Sequence, residues 1–166
     1  MSLDKINDAS EAQAYSIFES CCCAPKWIQG MINARPFINT DALLSSSQQC
    51  FSVLNDQDYL CAFEGHPQIG DLSTLQEKYA NTSGTASHEQ SGMSIADTAV
   101  LEEMVQLNKD YLLKFGFIFI VCASGKSASE MLQLIKNRIG NDRPTELILA
   151  GREQAKITTL RLEKLV

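Results

Sequence analysis

Three places in this chain carry side chains suited to moving protons or holding anions. The first is Gly65-His66-Pro67-Gln68-Ile69-Gly70-Asp71. His66 is one of only two histidines, and imidazole is the side chain that gains or loses a proton near neutral pH. Pro67 fixes its own φ and biases His66 away from helical geometry, so the ring sits on stiffened, non-helical backbone. A histidine on a rigid loop is a candidate general acid or base, the alternative being a surface residue or helix-terminus partner. The second place is Glu89-Gln90, followed by Ser91-Gly92. A carboxylate beside an amide that both donates and accepts complements a urea or amide edge; on its own the pair also reads as solvated loop, and His88 beside it reads as surface. The third is Arg161. Ile157, Arg161 and Leu165 fall at i, i+4 and i+8, which sets a guanidinium along a partly apolar line beside Leu160, on the inward side of its helix. Such an arginine either snorkels to solvent or a structural ion pair, or it faces inward and receives a carboxylate bidentately.

Helices must position these groups. Ser10 is set to cap a helix whose apolar face is Ala14, Phe18, Cys21 and Cys22, ending before Pro25. A short segment with Trp27, Met31 and Ala34 closes at Arg35-Pro36. Thr40 is the expected cap of the next helix, which carries Leu43, Leu44, Phe51 and Leu54 at helical spacing. Asp58 to Phe63 reads as a helix stopped by Gly65, leaving His66 just past a helix C-terminus. From Gly70 to Gly92 the chain is polar with little periodicity, although Leu72, Leu75 and Tyr79 allow a short helix; a stretch this long is functional or disordered. Ser94 and Asp97 form a capping-box-like start for a helix with Leu101, Met104, Tyr111 and Leu112. Two more helical patterns close the chain, one with Ala128, Met131, Leu132, Ile135 and Ile139, the other from about Thr145 to Leu165. The run Phe115 to Cys122 has the propensity of a buried strand but no convincing partner. Either it pairs with a segment not evident in the sequence, or its backbone groups face something else, such as a ligand. Gly125-Lys126-Ser127 is not a phosphate loop, because that motif needs a glycine where Ile120 stands.

At 166 residues the chain is long enough for one compact domain with a real core and short for two. Its 45% hydrophobic and 20% charged residues are those of an ordinary soluble globular protein. The longest apolar run, Phe115 to Ala123, is about half what a membrane-spanning helix needs. A net charge of −6 with both signs interspersed disfavours nucleic acid and anionic membranes as partners. The first residues show no secretory signal and Lys164-Leu165-Val166 is no peroxisomal address, so the expected location is cytoplasmic. The six cysteines, at 21, 22, 23, 50, 61 and 122, include no C-x-x-C spacing, and three in a row cannot all ligate one metal. They read as buried or half-buried reduced thiols, with no metal site.

Several short segments recur together in one known family. Ala24-Pro25-x-Trp27, Arg35-Pro36-Phe37, His66-Pro67-x-Ile69-Gly70, Glu89-Gln90-x-Gly92, Leu107-Asn108-x-x-Tyr111-x-x-Lys114-Phe115-Gly116-Phe117, Glu146-Leu147 and Leu160-Arg161-Leu162 occur in that order. The chain thereby resembles, over nearly its whole length, the 2-oxo-4-hydroxy-4-carboxy-5-ureidoimidazoline (OHCU) decarboxylases of ureide-forming purine breakdown. One departure is Ala86, with Ser87 next, where the family often has a serine three residues before the Glu-Gln pair. The resemblance implies an all-α fold: a single compact helical-bundle domain over residues 1–166, with one extended segment near 117–121 lining the site. It implies decarboxylation of OHCU to (S)-allantoin and CO2 in urate catabolism, with no cofactor and no metal, by a homodimer. Some relatives carry a fused hydroxyisourate-hydrolase domain that these residues lack, so this one step is implied.

The same resemblance assigns roles. His66, Glu89 and Arg161 are the implied catalytic residues, with Pro67, Gln90, Phe117, Phe119, Ile120 and Val121 against the substrate. His66 would handle the substrate hydroxyl proton, Glu89 and Gln90 would grip ring or ureido groups, and Arg161 would bind an anionic or carbonyl oxygen. OHCU carries its own electron sink in the ring imine, which removes the usual need for a cofactor. Two other classes fit the residues. A helical binding module would keep the fold without the chemistry, and a hydrolase of a related hydantoin or ureide would release no CO2.

Overall fold

Short polar side chains start most of the helices. In the computed structural model, which describes residues 2–68, 72, 73, 75, 76 and 95–166 (backbone only at 95–97), the bounded elements are α1 (Leu3–Asn7), α2 (Glu11–Glu19), α3 (Pro25–Asn33), α4 (Thr40–Ser52), α5 (Asp56–Glu64), α6 (Ile95–Phe115), α7 (Ala128–Ile139) and α8 (Arg143–Leu165). No residue among those described is in a strand, in keeping with the all-α expectation. Ser10, Asn55 and Ser127 each accept the amide three residues on, while Gln13, Asp58 and Glu130 accept the cap's own N–H in return. α3 begins on Pro25, whose missing N–H costs nothing in a first turn. At α4 the cap is Asn39 rather than Thr40. The extended Asn39 accepts from Ala42 N at 2.8 Å, and Thr40 becomes the first helical residue. Leu72, Ser73, Leu75 and Gln76 are helical and Leu75 is buried. Tyr79, Ser94 and the Asp97 side chain lie outside the described residues.

The chain groups into two compact units, one of residues 1–66, 120–122 and 147–166, the other of residues 67–119 and 123–146. In the first, α3 packs against α2, α4 and α5, and Trp27 is its centre. Phe18 meets the indole edge-on at 6.0 Å, Phe51 lies tilted at 5.7 Å, and the buried Nε1–H donates to Ser47 Oγ at 3.3 Å. Ile6, Phe18, Met31 and Leu43 are fully buried around them, each contributing about 1.5–3 kcal/mol on removal from water. Arg35 ties the N-terminal turn down by donating to Ile6 O at 3.0 Å and Ala9 O at 2.6 Å. α2 stops at Glu19, so Cys21 and Cys22 fall in the following turn rather than on the helix, though both are buried. All six thiols are free and buried or half-buried, as expected; burial pushes the Cys22 thiol up to about 12.

Two glycines in this unit permit close approaches. Gly65 ends α5 with Cys23 Sγ only 2.6 Å from where a Cβ would stand. That sulfur donates to Cys61 O at 2.9 Å, satisfying a carbonyl of the helix's last turn. On α8, a Cβ at Gly151 would meet Tyr59 Cε1 at 2.9 Å. The missing side chain lets α8 lie directly on the Tyr59 ring of α5.

The second unit is built on α6 against α7. Its buried polar centre is Glu146, which no water reaches. Tyr111 Oη–H donates to Glu146 Oε1 at 2.5 Å, Arg138 Nε to the same oxygen at 2.6 Å, and Asn141 Nδ2 to Oε2 at 2.9 Å. The motif residues Tyr111, Lys114, Phe115 and Phe117 are framework: Lys114 Nζ donates to Ile139 O and Asn141 O, ending α7, and Phe115 and Phe117 ring Tyr111 at 4.5 and 5.9 Å. Gly116, at φ +75°, turns the chain out of α6 in a conformation that side chains disfavour. From there to Ser127 the chain is irregular, so the apolar run forms no strand despite its propensity. Within Gly125-Lys126-Ser127, Gly125 turns the chain at φ +72° and Ser127 is the cap of α7.

Candidate active site

His66 leaves the end of α5, as its place after Gly65 implied. Its N–H still bonds Phe63 O at 3.1 Å, and its ring is half-buried while Pro67 is exposed. His66 Nε2 lies 2.6 Å from Gln154 Oε1. Gln154 is fully buried on α8, one turn beyond Gly151, and its Nε2 donates to Thr158 Oγ1 at 3.2 Å. Burial holds the imidazole pKa below its ordinary value; the bond to Gln154 pulls the other way, and the Arg161 charge adds to the lowering. The ring is therefore neutral at neutral pH, the form that can accept a proton.

Arg161 is also half-buried, and its Nη1 donates to Cys21 O at 2.9 Å. Among the described residues no carboxylate forms an ion pair with it. Its position on the helix differs from the sequence expectation. The buried stripe of α8 is Leu147, Ala150, Gly151, Gln154, Thr158 and Leu162, with Ile157, Arg161 and Leu165 half-buried beside it. Beyond Glu146, the inward face carries two more buried polar residues, Gln154 and Thr158, bonded to each other, which an apolar pattern cannot mark. A Gln and a Thr at i, i+4 in line with Gly151 and Leu162 were the available signal for Gln154.

The irregular segment reaches this unit at residues 120–122, where Ile120 is buried and Val121 half-buried. Cys122 N–H donates to Glu153 Oε2 at 2.8 Å, so α8 holds the backbone through Glu153, a residue that nothing in its local sequence singles out. His66, Arg161, Ile120 and Val121 thus belong to one unit, with the Arg161 charge acting on His66. Pro67, Phe117 and Phe119 belong to the other. There the Phe119 ring packs edge-on to Tyr111 at 5.2 Å with the Arg138 guanidinium 4.7 Å from its centroid, and Phe117 is buried. Glu89 and Gln90 lie outside the described residues.

The family model for OHCU decarboxylase matches residues 7–163. A uric acid degradation bifunctional protein of Arabidopsis thaliana is 35% identical over 147 residues, 87% of this chain and 45% of that protein; this chain spans under half the length of that relative. A 2-oxo-4-hydroxy-4-carboxy-5-ureidoimidazoline decarboxylase of Amia calva is 27% identical over 134 residues, covering 81% of this chain and 76% of that protein. A crystal structure of an OHCU decarboxylase in the presence of (S)-allantoin is similar at a TM-score of 0.72 and 31% identity, covering 95% of this chain and 98% of that one. With a family model matching residues 7–163 and a solved relative 31% identical over 95% of this chain, this chain belongs to the OHCU decarboxylase family.

Proposed function

We propose that this chain is a carboxy-lyase that converts OHCU to (S)-allantoin and CO2 without a cofactor. The observation that carries the reading is a half-buried His66 held by Gln154, its pKa lowered by burial and by the charge of Arg161, an arginine with no carboxylate partner among the described residues. Decarboxylation leaves an electron pair that must be accommodated, and the substrate's imine beside the carboxylated carbon accepts it. The carbon–carboxylate bond breaks, its pair forms a ring double bond, and the imine nitrogen takes a proton. Loss of the hydroxyl proton and protonation of the ureido-bearing carbon then give allantoin, one proton being consumed overall. The protein's tasks are to hold the anion, to accept the hydroxyl proton and to deliver a proton to one face.

In this reading His66 accepts the hydroxyl proton and Arg161 binds an anionic or carbonyl oxygen. Glu89 and Gln90 grip ring or ureido groups, and the family resemblance adds Pro67, Phe117, Phe119, Ile120 and Val121 as substrate contacts. Because the Phe117 and Phe119 rings are engaged with Tyr111, the backbone of that segment rather than its rings meets the ligand. Residues 1–166 act as one catalytic domain, in a cytoplasmic homodimer without nucleic-acid partners. No helix among the described residues is long and apolar enough to cross a membrane. Purified protein freed of metal by chelator and supplied with fresh OHCU should release CO2 in step with allantoin, well above the spontaneous rate. Consumption of OHCU without matching CO2 points to a hydrolase, and release at the background rate removes the enzymatic assignment.

A further inference from the structure

We propose that Gln154 is a positioning residue: by accepting the Nε2–H of His66 it fixes the imidazole in one tautomer and leaves Nδ1 as the nitrogen that takes the substrate proton. The inference deepens the reading of His66 as the proton acceptor and rests on it. A neutral imidazole has one N–H and one lone pair, and its catalytic use depends on which nitrogen carries which. Gln154 Oε1 stands 2.6 Å from Nε2, so that nitrogen carries the hydrogen. The amide is held in this sense from its other end, where its nitrogen donates to Thr158 Oγ1 at 3.2 Å, one helical turn along α8.

Three features make this arrangement rigid. Gln154 and Thr158 are both fully buried, so neither amide nor hydroxyl exchanges its partner for water. Gly151 brings α8 onto the Tyr59 ring one turn before Gln154, which sets the depth of the amide. The histidine end is fixed by Gly65, which tolerates Cys23 against it, and by the His66 N–H bond to Phe63 O. An amide oxygen is an acceptor without charge. It orients the ring without the strong preference for imidazolium that a carboxylate would impose, and Arg161, the charged side chain acting on His66 among the described residues, disfavours imidazolium further. When the hydroxyl proton passes to Nδ1, the O–H pair stays on the substrate oxygen. The imidazolium remains anchored through Nε2–H to Oε1, and Nδ1 can return the same proton.

The test is nitrogen NMR on protein labelled with 15N-histidine, with His66→Asn assigning the two rings. Wild-type His66 should show a protonated Nε2 and a bare Nδ1. Gln154→Leu should mix the tautomers and lower kcat by about tenfold or more with a smaller change in KM. Gln154→Glu, which keeps an acceptor oxygen at the same reach, should preserve the Nε2–H tautomer and move the acid limb of kcat/KM to higher pH. Should the leucine variant fail to fold, the wild-type tautomer and the glutamate variant decide the matter. An Nδ1–H or mixed ring in the wild type, or an unchanged tautomer in a folded Gln154→Leu, overturns the proposal. Absence of OHCU turnover in the wild type would instead remove the functional reading, while the ring spectrum judges Gln154 independently.

Discussion

Replacing Arg161 by methionine separates a substrate-binding arginine from a structural one, and Arg138 is the internal standard. Arg138 bonds Glu146 Oε1 through Nε at 2.6 Å and pairs with the same oxygen through Nη2, and that carboxylate is 0% exposed. Arg138→Met leaves Glu146 with the Tyr111 hydroxyl and the Asn141 amide, and removing one side of a buried ion pair costs about 3–5 kcal/mol. Arg161 keeps contact with solvent and donates to a neutral carbonyl, Cys21 O, at 2.9 Å. Its loss forfeits a bond with a net value of about 1 kcal/mol, and the methionine retains most of the side chain's packing. For a chain of this length each kcal/mol shifts Tm by about 2–4 °C. Arg161→Met should therefore melt a few degrees low and Arg138→Met about 10 °C low. Catalysis should rank the other way for Arg161: losing a charged donor to the developing anion lowers kcat/KM by about 10²–10³-fold. Arg161→Lys should not restore it, because an ammonium lacks the planar fork. Thermal melts and steady-state rates on the three variants decide. An Arg161→Met protein that turns over normally yet melts as low as Arg138→Met would refute the reasoning.

His66→Asn should fold with a near-normal melt and lose about 10²-fold or more in kcat, measured by allantoin formation; retained turnover with a lowered Tm would make His66 a turn residue. Because the folded His66 pKa is depressed, its contribution to stability is full above the unfolded imidazole value of about 6.5 and is lost as pH falls through the folded value. Urea melts across this range should thus weaken toward acid more in the wild type than in His66→Asn. The acid limb of kcat/KM should lie below about 6.5 and move up in Arg161→Met, whose charge holds it down. Gly151→Ala places a Cβ 2.9 Å from Tyr59 Cε1; forcing α8 off that ring should cost about 1–3 kcal/mol and lower kcat, read by melts and rates together.

The helices were legible because their signals are local. Ser10 capping an apolar stretch, Pro25 and Pro36 bounding the Trp27 segment, and Gly65 closing the helix before His66 each act within one turn of chain. The Asn39 start was missed by one residue because Asn and Thr both cap well and only the extended backbone of Asn39 separates them. His66 stood out by its rarity and its proline. Gln154 did not, because a buried glutamine is defined by partners 88 residues away rather than by its neighbours. The same holds for the Tyr111–Arg138–Glu146 centre and for Glu153 on the Cys122 amide, where each partner is ordinary in its own segment. The strand propensity of residues 115–122 gave way to Gly116 and to a side-chain acceptor that replaces a neighbouring strand. Glu89 and Gln90 rest on the family resemblance.

The most direct measurement is the circular dichroism of allantoin formed when chelator-treated protein meets freshly generated OHCU. Spontaneous decay yields racemate, whereas delivery of a proton to one ring face yields a single hand. The expected result is a growing (S)-allantoin signal that vanishes in His66→Asn. Racemic product appearing at the background rate would contradict the assignment of this chain as an OHCU decarboxylase.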